Sequence, residues 1–288
     1  MNLEVGLLFG DAGAALLDLE SSVIDKALQK FFGGHARSVH APPGIFIGMS
    51  NDWDGWASSA QAWIKSMAEQ GDWTRRYVLD LPTQAACSPR SGERWLDLGC
   101  GEGRFARWLS GQGAKVVGLD PVESMVRHAS ATGGASYVLA KGETLPFRDA
   151  AFDGVVSYLS MIDIPDFRAA IRECARILRP DGRLVIANLT SFATTMPHPR
   201  KRDEEGRMQF MAVDGYLDER AEWVEWSDIR VLNWHRPLSA YMKACLDEGL
   251  ILRAFEEPEP DPDAPGAADY RRAPWGMVMA WEKPVDGE

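Results

Sequence analysis

The sequence lacks the features that mark membrane-spanning, secreted and zinc-binding proteins. Its 288 residues include four cysteines, Cys87, Cys100, Cys174 and Cys245, which are far apart and show no CxxC spacing. This pattern favours reduced thiols over a disulfide framework or a zinc site. No apolar run approaches the roughly twenty residues needed to cross a bilayer, and no basic segment precedes the first apolar residues, as a secretory signal requires. We therefore expect a cytoplasmic protein with no membrane span and no metal site.

Basic residues are scarce as well. Lys and Arg number 31 against 42 Asp and Glu, which gives a net charge of −11. Nucleic-acid binding draws on clustered positive charge, so a nucleic-acid partner is not expected. Hydrophobic content of 45% and charged content of 25% are ordinary for a globular protein that buries a core.

The first 48 residues differ from the rest of the chain. Apolar positions between residues 16 and 31 fit one helical stripe, which the Gly33-Gly34 pair would end. His35 and His40 follow in a proline-containing loop, but no further metal ligands accompany them. We interpret residues 1–48 as an N-terminal appendage, or an upstream extension of the reading frame, and residues 49–288 as the functional domain.

The rest of the chain is organised around residues 95–109, WLDLGCGEGRFARWL. A short apolar run containing Asp97 leads into alternating glycines at Gly99, Gly101 and Gly103, and a helix-like pattern follows. Strand, glycine turn and helix N-terminus together form a nucleotide-binding corner. The next apolar run ends in Asp120, nineteen positions after Gly101, where a carboxylate can accept both hydroxyls of a ribose. The ligand is therefore predicted to contain a nucleoside.

Alternating strand-like and helix-like segments continue downstream and predict a doubly wound, mostly parallel α/β sheet. Residues 190–236 interrupt this alternation and are interpreted as an inserted hairpin or cover over the substrate. Upstream, helices are predicted at residues 60–67, with Ser58 or Ser59 as N-cap, and at 73–79, followed by a polar linker at 84–93. Arg75 and Arg76 in the second helix could bind a ligand carboxylate or simply lie in solvent.

Five segments in order support a family resemblance: LDLGCGEGR, GLDP, GETLPF, FDGVVSYLS and ILRPDGRLVIAN. Together they resemble the class I S-adenosylmethionine-dependent methyltransferases, in particular the small-molecule branch similar to the ubiquinone and menaquinone methyltransferases. The resemblance covers roughly residues 53–283. It implies a Rossmann-like, seven-stranded sheet whose last two strands form an antiparallel hairpin, a helical N-terminal cover and an inserted lid. It also implies S-adenosylmethionine as cofactor and a small-molecule methyl acceptor.

The resemblance assigns the cofactor residues. Gly99 and Gly101, with Cys100 between them, would contact the methionine part, and Asp97 would lie near its ammonium. Asp120 matches the ribose-binding acid, and Gly142 with Glu143 matches the loop around the adenine. Tyr158, which ends the fourth predicted strand, is expected beside both cofactor and acceptor.

One position departs from the family pattern. Lys141 stands where the family usually has an aspartate that accepts a hydrogen bond from the adenine amino group. Because lysine has no acceptor, this contact is expected to be lost unless Glu143 or a backbone carbonyl replaces it.

Two residues are candidates for catalysis. His235, at the end of the cover, could act as a general base on the acceptor, or it could be a hydrogen-bonded structural histidine. Tyr158 is the second candidate. The sequence SYLS stands where nucleic-acid amino methyltransferases have an NPPY-type sequence, and Tyr158 and Ala187-Asn188 stand where metal-dependent catechol methyltransferases have their ligands.

Two alternative functions remain open. The first is a non-catalytic cofactor-binding protein. The second is a nicotinamide-dependent oxidoreductase, although the spacing here is GxGxG and not the GxGxxG of nicotinamide-binding folds.

Overall fold

The computed structural model describes residues 54–67, 71–195, 200–205 and 208–285. The predicted helix between residues 16 and 31, the two loop histidines and the appendage as a whole lie outside the described residues. Among the described residues, no helix is long and apolar enough to cross a membrane.

A seven-stranded sheet forms the centre of the domain, in the order β10-β11-β5-β4-β1-β2-β3. Its strands are β1 (Arg94–Leu98), β2 (Lys115–Asp120), β3 (Ser136–Leu139), β4 (Phe152–Tyr158), β5 (Leu178–Leu189), β10 (Ile251–Glu256) and β11 (Gly276–Glu282). The first five pair in parallel, whereas β11 is antiparallel to both β5 and β10. The predicted sheet, with its closing antiparallel hairpin, is confirmed.

Helices cover the sheet. They are α1 (Trp56–Met67), α2 (Asp80–Cys87), α3 (Arg104–Gly111), α4 (Glu123–Thr132), α5 (Phe167–Ile177), α6 (Ser191–Thr194), α7 (Leu238–Asp247) and α8 (Ala267–Tyr270). A π-helical segment, Arg75–Leu79, leads directly into α2. The central strands are buried along nearly their whole length, as expected for a parallel sheet with both faces covered.

The inserted segment forms two small antiparallel pairs. One joins β6 (Arg200–Arg202) to β7 (Met208–Met211), and the other joins β8 (Arg220–Trp226) to β9 (Ile229–His235). The β8–β9 pair, called the cover hairpin below, packs Ile229 and Val231 against Ala60, Trp63 and Met67. The predicted hairpin is therefore present, and it lies on α1.

Three local predictions need correction near the N-terminal helices. Helix α1 begins at Trp56, earlier than predicted, and the hydroxyls of Ser58 and Ser59 donate to the carbonyls of Gly55 and Arg230 and do not cap a helix. The second predicted helix is π-helical and continues to Cys87, through part of the predicted linker. The start of the predicted linker is helical because Thr83 and Cys87 are buried there. Their packing outweighs the weak helix-forming tendency of the local sequence.

Candidate active site

The glycine corner lies where the carboxyl ends of β1, β2 and β4 meet. Strand β1 pairs with β4 on one side and β2 on the other, and this switch in strand order opens a crevice at the carboxyl edge. The backbone N–H groups of Gly99 and Cys100 both donate to the carbonyl of Leu119, at 2.8 and 3.0 Å, and tie the loop to β2. The predicted corner is therefore built mainly by its own backbone.

The three glycines of the corner serve different purposes, although all have positive φ. A Cβ on Gly99 would lie 2.3 Å from Cβ of Ser160, and a Cβ on Gly103 would lie 2.5 Å from the Tyr137 hydroxyl. A Cβ on Gly101 would meet only Nε1 of Trp63, at 3.5 Å. Close ligand approach therefore explains Gly101, whereas Gly99 and Gly103 are required by packing within the protein.

Asp120 is held at the tip of β2. Its Oδ2 accepts the backbone N–H of Gly101 at 2.9 Å, and its Oδ1 accepts that of Val122 at 2.9 Å. Burial raises its pKa to about 6, although these two donors act in the opposite direction. Each oxygen keeps a further lone pair, so the carboxylate can still accept hydroxyl groups.

Asp97 lies deeper, at the base of the corner, and is 1% exposed. Burial, followed by the nearby Glu102, raises its pKa to about 7, while the Ala106 backbone N–H lowers it. Its Oδ2 is buried and has no hydrogen-bond partner among the residues that the structure describes. A buried carboxylate oxygen without a donor is costly, so this atom is suited to a cation or to a water bridging to one.

The thiol of Cys100 does not face the crevice. A Cβ on Gly118 would lie 2.9 Å from its Sγ, so the side chain points back into the sheet. Burial raises the pKa of the thiol. Only the backbone of Cys100 is available to a ligand.

The predicted adenine loop follows β3. Gly142 is buried, and a Cβ there would lie 3.1 Å from Ile164 and 3.2 Å from Leu98. Glu143 is half-buried and Lys141 is exposed. The loop therefore lies beside the end of β1, as the predicted role requires.

Tyr158 forms part of the wall of the site. Its hydroxyl donates to Oδ1 of Asp80 at 2.7 Å. The carboxylate of Asp80 also accepts hydrogen bonds from both Nη atoms of Arg104, at 2.8 and 3.0 Å. The ring packs edge-on against Phe105, with centroids 4.9 Å apart. Burial raises the pKa of the hydroxyl well above its usual value. The hydroxyl is thus committed to the protein, which argues against the catalytic role considered for it, although the ring remains available as a wall.

His235 is also committed to the protein. It is 2% exposed, its Nε2 lies 2.9 Å from the carbonyl of Tyr216, and its Nδ1 lies 2.7 Å from Oγ1 of Thr194. Because a carbonyl only accepts, Nε2 carries the proton and Nδ1 accepts from the threonine. Burial lowers the pKa of the imidazole. This geometry favours the structural role over that of a general base.

Arg75 and Arg76 differ sharply in their surroundings. Arg75 is 9% exposed and pairs with Asp72 at 2.6 Å. Its guanidinium lies 4.8 Å from the ring centroid of Trp63 and 5.4 Å from that of Tyr158. Arg76 is exposed and lies over Tyr77. Of the two arginines, only Arg75 faces the site.

The sequence prediction overlooked several of these residues. Asp80 and Arg104, which hold Tyr158, lie 24 positions apart in the chain and were not singled out. Asp163, a half-buried acid in the loop after β4, was also missed. Its signal was a single charged residue within the apolar run SMIDIP.

Comparisons with known proteins agree with this geometry. Residues 96–186 match the family described as "Methyltransferase domain". The chain is similar to the solved structure of an S-adenosylmethionine-dependent methyltransferase from Mesorhizobium loti, with 26% identity and a TM-score of 0.62. The similarity covers 70% of this chain and 95% of the solved one. The fold and the glycine corner are thus similar to those of S-adenosylmethionine-dependent methyltransferases.

Curated relatives specify the branch. The O-methyltransferase resE of Aspergillus sclerotiorum is 36% identical over 36% of this chain and 43% of its own length. The demethylmenaquinone methyltransferase of Corynebacterium efficiens is 33% identical over 44% of this chain and 53% of its own. The chain thus spans about half the length of these relatives. The similarity to these relatives agrees with the small-molecule type of class I methyltransferase that the resemblance implied.

Proposed function

We propose that this protein binds S-adenosylmethionine at the glycine corner and transfers its methyl group to a small-molecule acceptor. The main support is the unpartnered, buried Oδ2 of Asp97 beneath a corner where only Gly101 leaves room for a ligand. When bound, this cofactor supplies a methyl group made electrophilic by a sulfonium. Similarity to relatives named as methyltransferases supports the same chemistry.

The protein's own residues fit the parts of this cofactor. Asp120 would accept the ribose hydroxyls, and the backbone around Gly142, with Glu143, would contact the base. Asp97 is suited to the ammonium, directly or through water. Arg75, with one nitrogen bound to Asp72, offers its other donors to the carboxylate of the amino-acid end.

The charges around the site also suit this cofactor. Asp97 and Asp120 are nearly fully buried near the corner, and the third buried acid there, Glu102, is paired with Arg107 at 2.9 Å. S-adenosylmethionine carries a sulfonium and an ammonium against one carboxylate, so its net charge is positive. Ionised acids in a partly desolvated crevice attract such a cation more strongly than they would in water.

Calorimetry with a matched pair of variants tests the assignment. Arg75→Ala is expected to weaken S-adenosylmethionine binding by about tenfold or more, because a charge-assisted hydrogen bond contributes about 1.5–3 kcal/mol. Arg76→Ala serves as the control and should bind like the unaltered protein. Methylthioadenosine, which lacks the amino-acid end, should bind both variants equally. Equal loss of S-adenosylmethionine binding in the two variants would contradict the role of Arg75.

A second measurement separates the alternatives. Titration with NADH should show no binding, and incubation with labelled S-adenosylmethionine and candidate acceptors should transfer label. Binding of S-adenosylmethionine without transfer to any acceptor would favour the non-catalytic alternative.

A further inference from the structure

Asp163 is an acid that the cofactor site does not use. It lies in the loop after β4, and its backbone N–H donates to the carbonyl of Ser160 at 2.9 Å. Ser160 in turn packs on the glycine corner, because its Oγ donates to the carbonyl of Leu98 at 2.5 Å. Asp163 is therefore one turn beyond the residue that packs on the glycine corner, at the carboxyl edge of the sheet, where an acceptor is expected to approach.

The cover hairpin fixes Asp163 from the other side. The Nδ2 of Asn233 donates to its Oδ1 at 2.5 Å, and the backbone N–H of Trp234 donates to the carbonyl of Ile162 at 2.7 Å. These contacts join the last strand of the cover to the loop after β4. The carboxyl is therefore held between two segments that are 70 positions apart in sequence.

Arg236 holds the same loop from below. It is 1% exposed, and its guanidinium donates to the carbonyls of Met161, Ile164 and Pro165 at 2.9, 2.6 and 3.1 Å. These bonds bracket Asp163 without occupying its carboxyl. The loop is thus held in place by Arg236, and Asp163 as a residue is half-buried.

The charged surroundings of Asp163 set its protonation. Burial raises its pKa to about 8. Within that net value, the hydrogen bonds from the side chains of Trp56 and Asn233 and the charge of Arg75 lower the pKa, whereas Asp54, which precedes α1, raises it. The buried Arg236 adds a positive charge on the loop itself. A carboxyl with such a pKa is a stronger base near neutral pH than an ordinary aspartate.

The neighbouring side chains are aromatic. Trp56 packs edge-on against Trp63 with centroids 5.1 Å apart, and Trp63 packs edge-on against Trp226 of the cover hairpin at 6.4 Å. The indole N–H of Trp56 is buried and faces the carboxyl of Asp163, whose pKa it lowers. Tryptophan faces and edges of this kind suit a flat aromatic ligand.

We propose that Asp163 is the base on the acceptor side, and that the acceptor is an aromatic compound bearing a weakly acidic hydroxyl. This proposal rests on the proposed methyl transfer. The acceptor oxygen forms a bond to the methyl carbon while the carbon–sulfur bond breaks and its electron pair stays on sulfur. The hydroxyl proton passes to a carboxylate oxygen of Asp163 and then to solvent, so atoms and charge balance.

The test uses the full chain, labelled S-adenosylmethionine and two phenols. One is para-nitrophenol, which is largely ionised at mildly alkaline pH, and the other is para-methylphenol, which is not. Asp163→Asn is expected to lower turnover of para-methylphenol by about 10²–10⁴-fold, the usual contribution of a general base. The loss with para-nitrophenol should be much smaller, because its ionised form needs no base. Asp166→Asn, in the same loop, is the control, since asparagine caps a helix as well as aspartate does.

Two further measurements distinguish a role of Asp163 in the reaction from a structural role. The rate of the unaltered enzyme with para-methylphenol should rise with pH through about 8, the pKa of Asp163, and Asp163→Asn should lose this limb. Asn233→Ala should move this rise in rate to higher pH, because it removes a hydrogen-bond donor that lowers the pKa of Asp163. Calorimetry should show unchanged S-adenosylmethionine affinity in Asp163→Asn.

The results that would overturn the proposal are distinct from failure of the proposed function. An equal loss with both phenols, an unchanged pH profile or a parallel loss of cofactor affinity would each contradict a role as base. Absence of methylation of either phenol by a protein that binds S-adenosylmethionine would contradict the acceptor class. Absence of S-adenosylmethionine binding would instead contradict the proposed function itself.

Discussion

The two sides of the candidate active site are built in different ways. The cofactor side is formed by one continuous corner, Leu98–Arg104, and by Asp120, whose carboxylate binds the backbone of that corner. The acceptor side is assembled from α1, the π-helical segment, the loop after β4 and the cover hairpin. The two sides meet where Ser160 packs on Gly99. Local backbone geometry therefore determines the first side, whereas contacts between distant segments determine the second.

Substitutions at two glycines should give the largest effects, one on stability and the other on cofactor binding. Gly99→Ala places a Cβ 2.3 Å from that of Ser160, and we expect a loss of about 2–4 kcal/mol in the free energy of unfolding. Gly101→Ala should cost only about 1–2 kcal/mol from its left-handed backbone, yet it should abolish measurable S-adenosylmethionine binding. Chemical denaturation and calorimetry measure these two effects.

The Gly99 prediction has its own control. Gly99→Ala combined with Ser160→Gly should recover part of the lost stability, because the second change removes the clashing atom. The single Ser160→Gly variant gives the baseline. If the double variant is no more stable than Gly99→Ala, the contact between the two sides is not the cause.

The next effect concerns the cover. His235→Asn is expected to lower the free energy of unfolding by about 1–3 kcal/mol. The reason is that the Thr194 hydroxyl or the Tyr216 carbonyl loses its hydrogen-bond partner while it stays buried. Turnover at saturating substrate should stay within about threefold of the unaltered enzyme, because the expected loss of transition-state stabilisation is less than about 1 kcal/mol. A large fall in turnover with intact stability would instead identify His235 as the base.

The cofactor side should respond to pH in two opposite ways. Asp97 has a folded-state pKa of about 7 and Asp120 of about 6, both above the value of about 3.9 expected in the unfolded chain. The folded protein without cofactor therefore binds more protons, and these groups should make it more stable as pH falls from 8 to 5. Binding of the cationic cofactor needs the ionised acids, so its affinity should fall about tenfold from pH 8 to 6. Thermal unfolding and calorimetry across this range measure both trends.

Asp97→Asn sharpens the pH comparison. This variant should reduce both slopes, because it removes the group with the higher pKa of the two. Parallel trends of stability and affinity with pH would contradict the electrostatic account of the corner.

The smallest expected effect is at the adenine end. Lys141→Asp should tighten S-adenosylmethionine binding by about threefold to tenfold, because a carboxylate can accept the adenine amino group and one hydrogen bond contributes about 0.5–1.5 kcal/mol. Lys115→Asp, at the start of β2, is the control for the change in net charge. Weaker binding in Lys141→Asp would show that the base is held in another way.

The difference between the two sides also explains what the sequence could predict. The alternating strands and helices, the GxGxG corner and Asp120 follow from local pattern and spacing. The fold is confirmed, and the comparisons agree with the predicted family and cofactor. The individual cofactor contacts remain predictions. Asp163 could not be assigned from sequence because its environment depends on Asn233, 70 positions away. His235 attracted attention through its place in the chain, whereas its chemistry depends on two partners visible only in the folded protein.

The π-helical segment Arg75–Leu79 has a consequence for how this site can vary. In a regular α-helix, residues five positions apart point about 140° away from each other. The wider turn here, closed by the bond from the Asp80 backbone N–H to the Arg75 carbonyl, brings positions 75 and 80 to one side. Tyr158 can then meet the Arg75 guanidinium at its ring and Asp80 at its hydroxyl. Loss of a single residue from this turn would rotate Arg75 out of the crevice while leaving Asp80 in place, so the length of this segment is constrained more tightly than its composition.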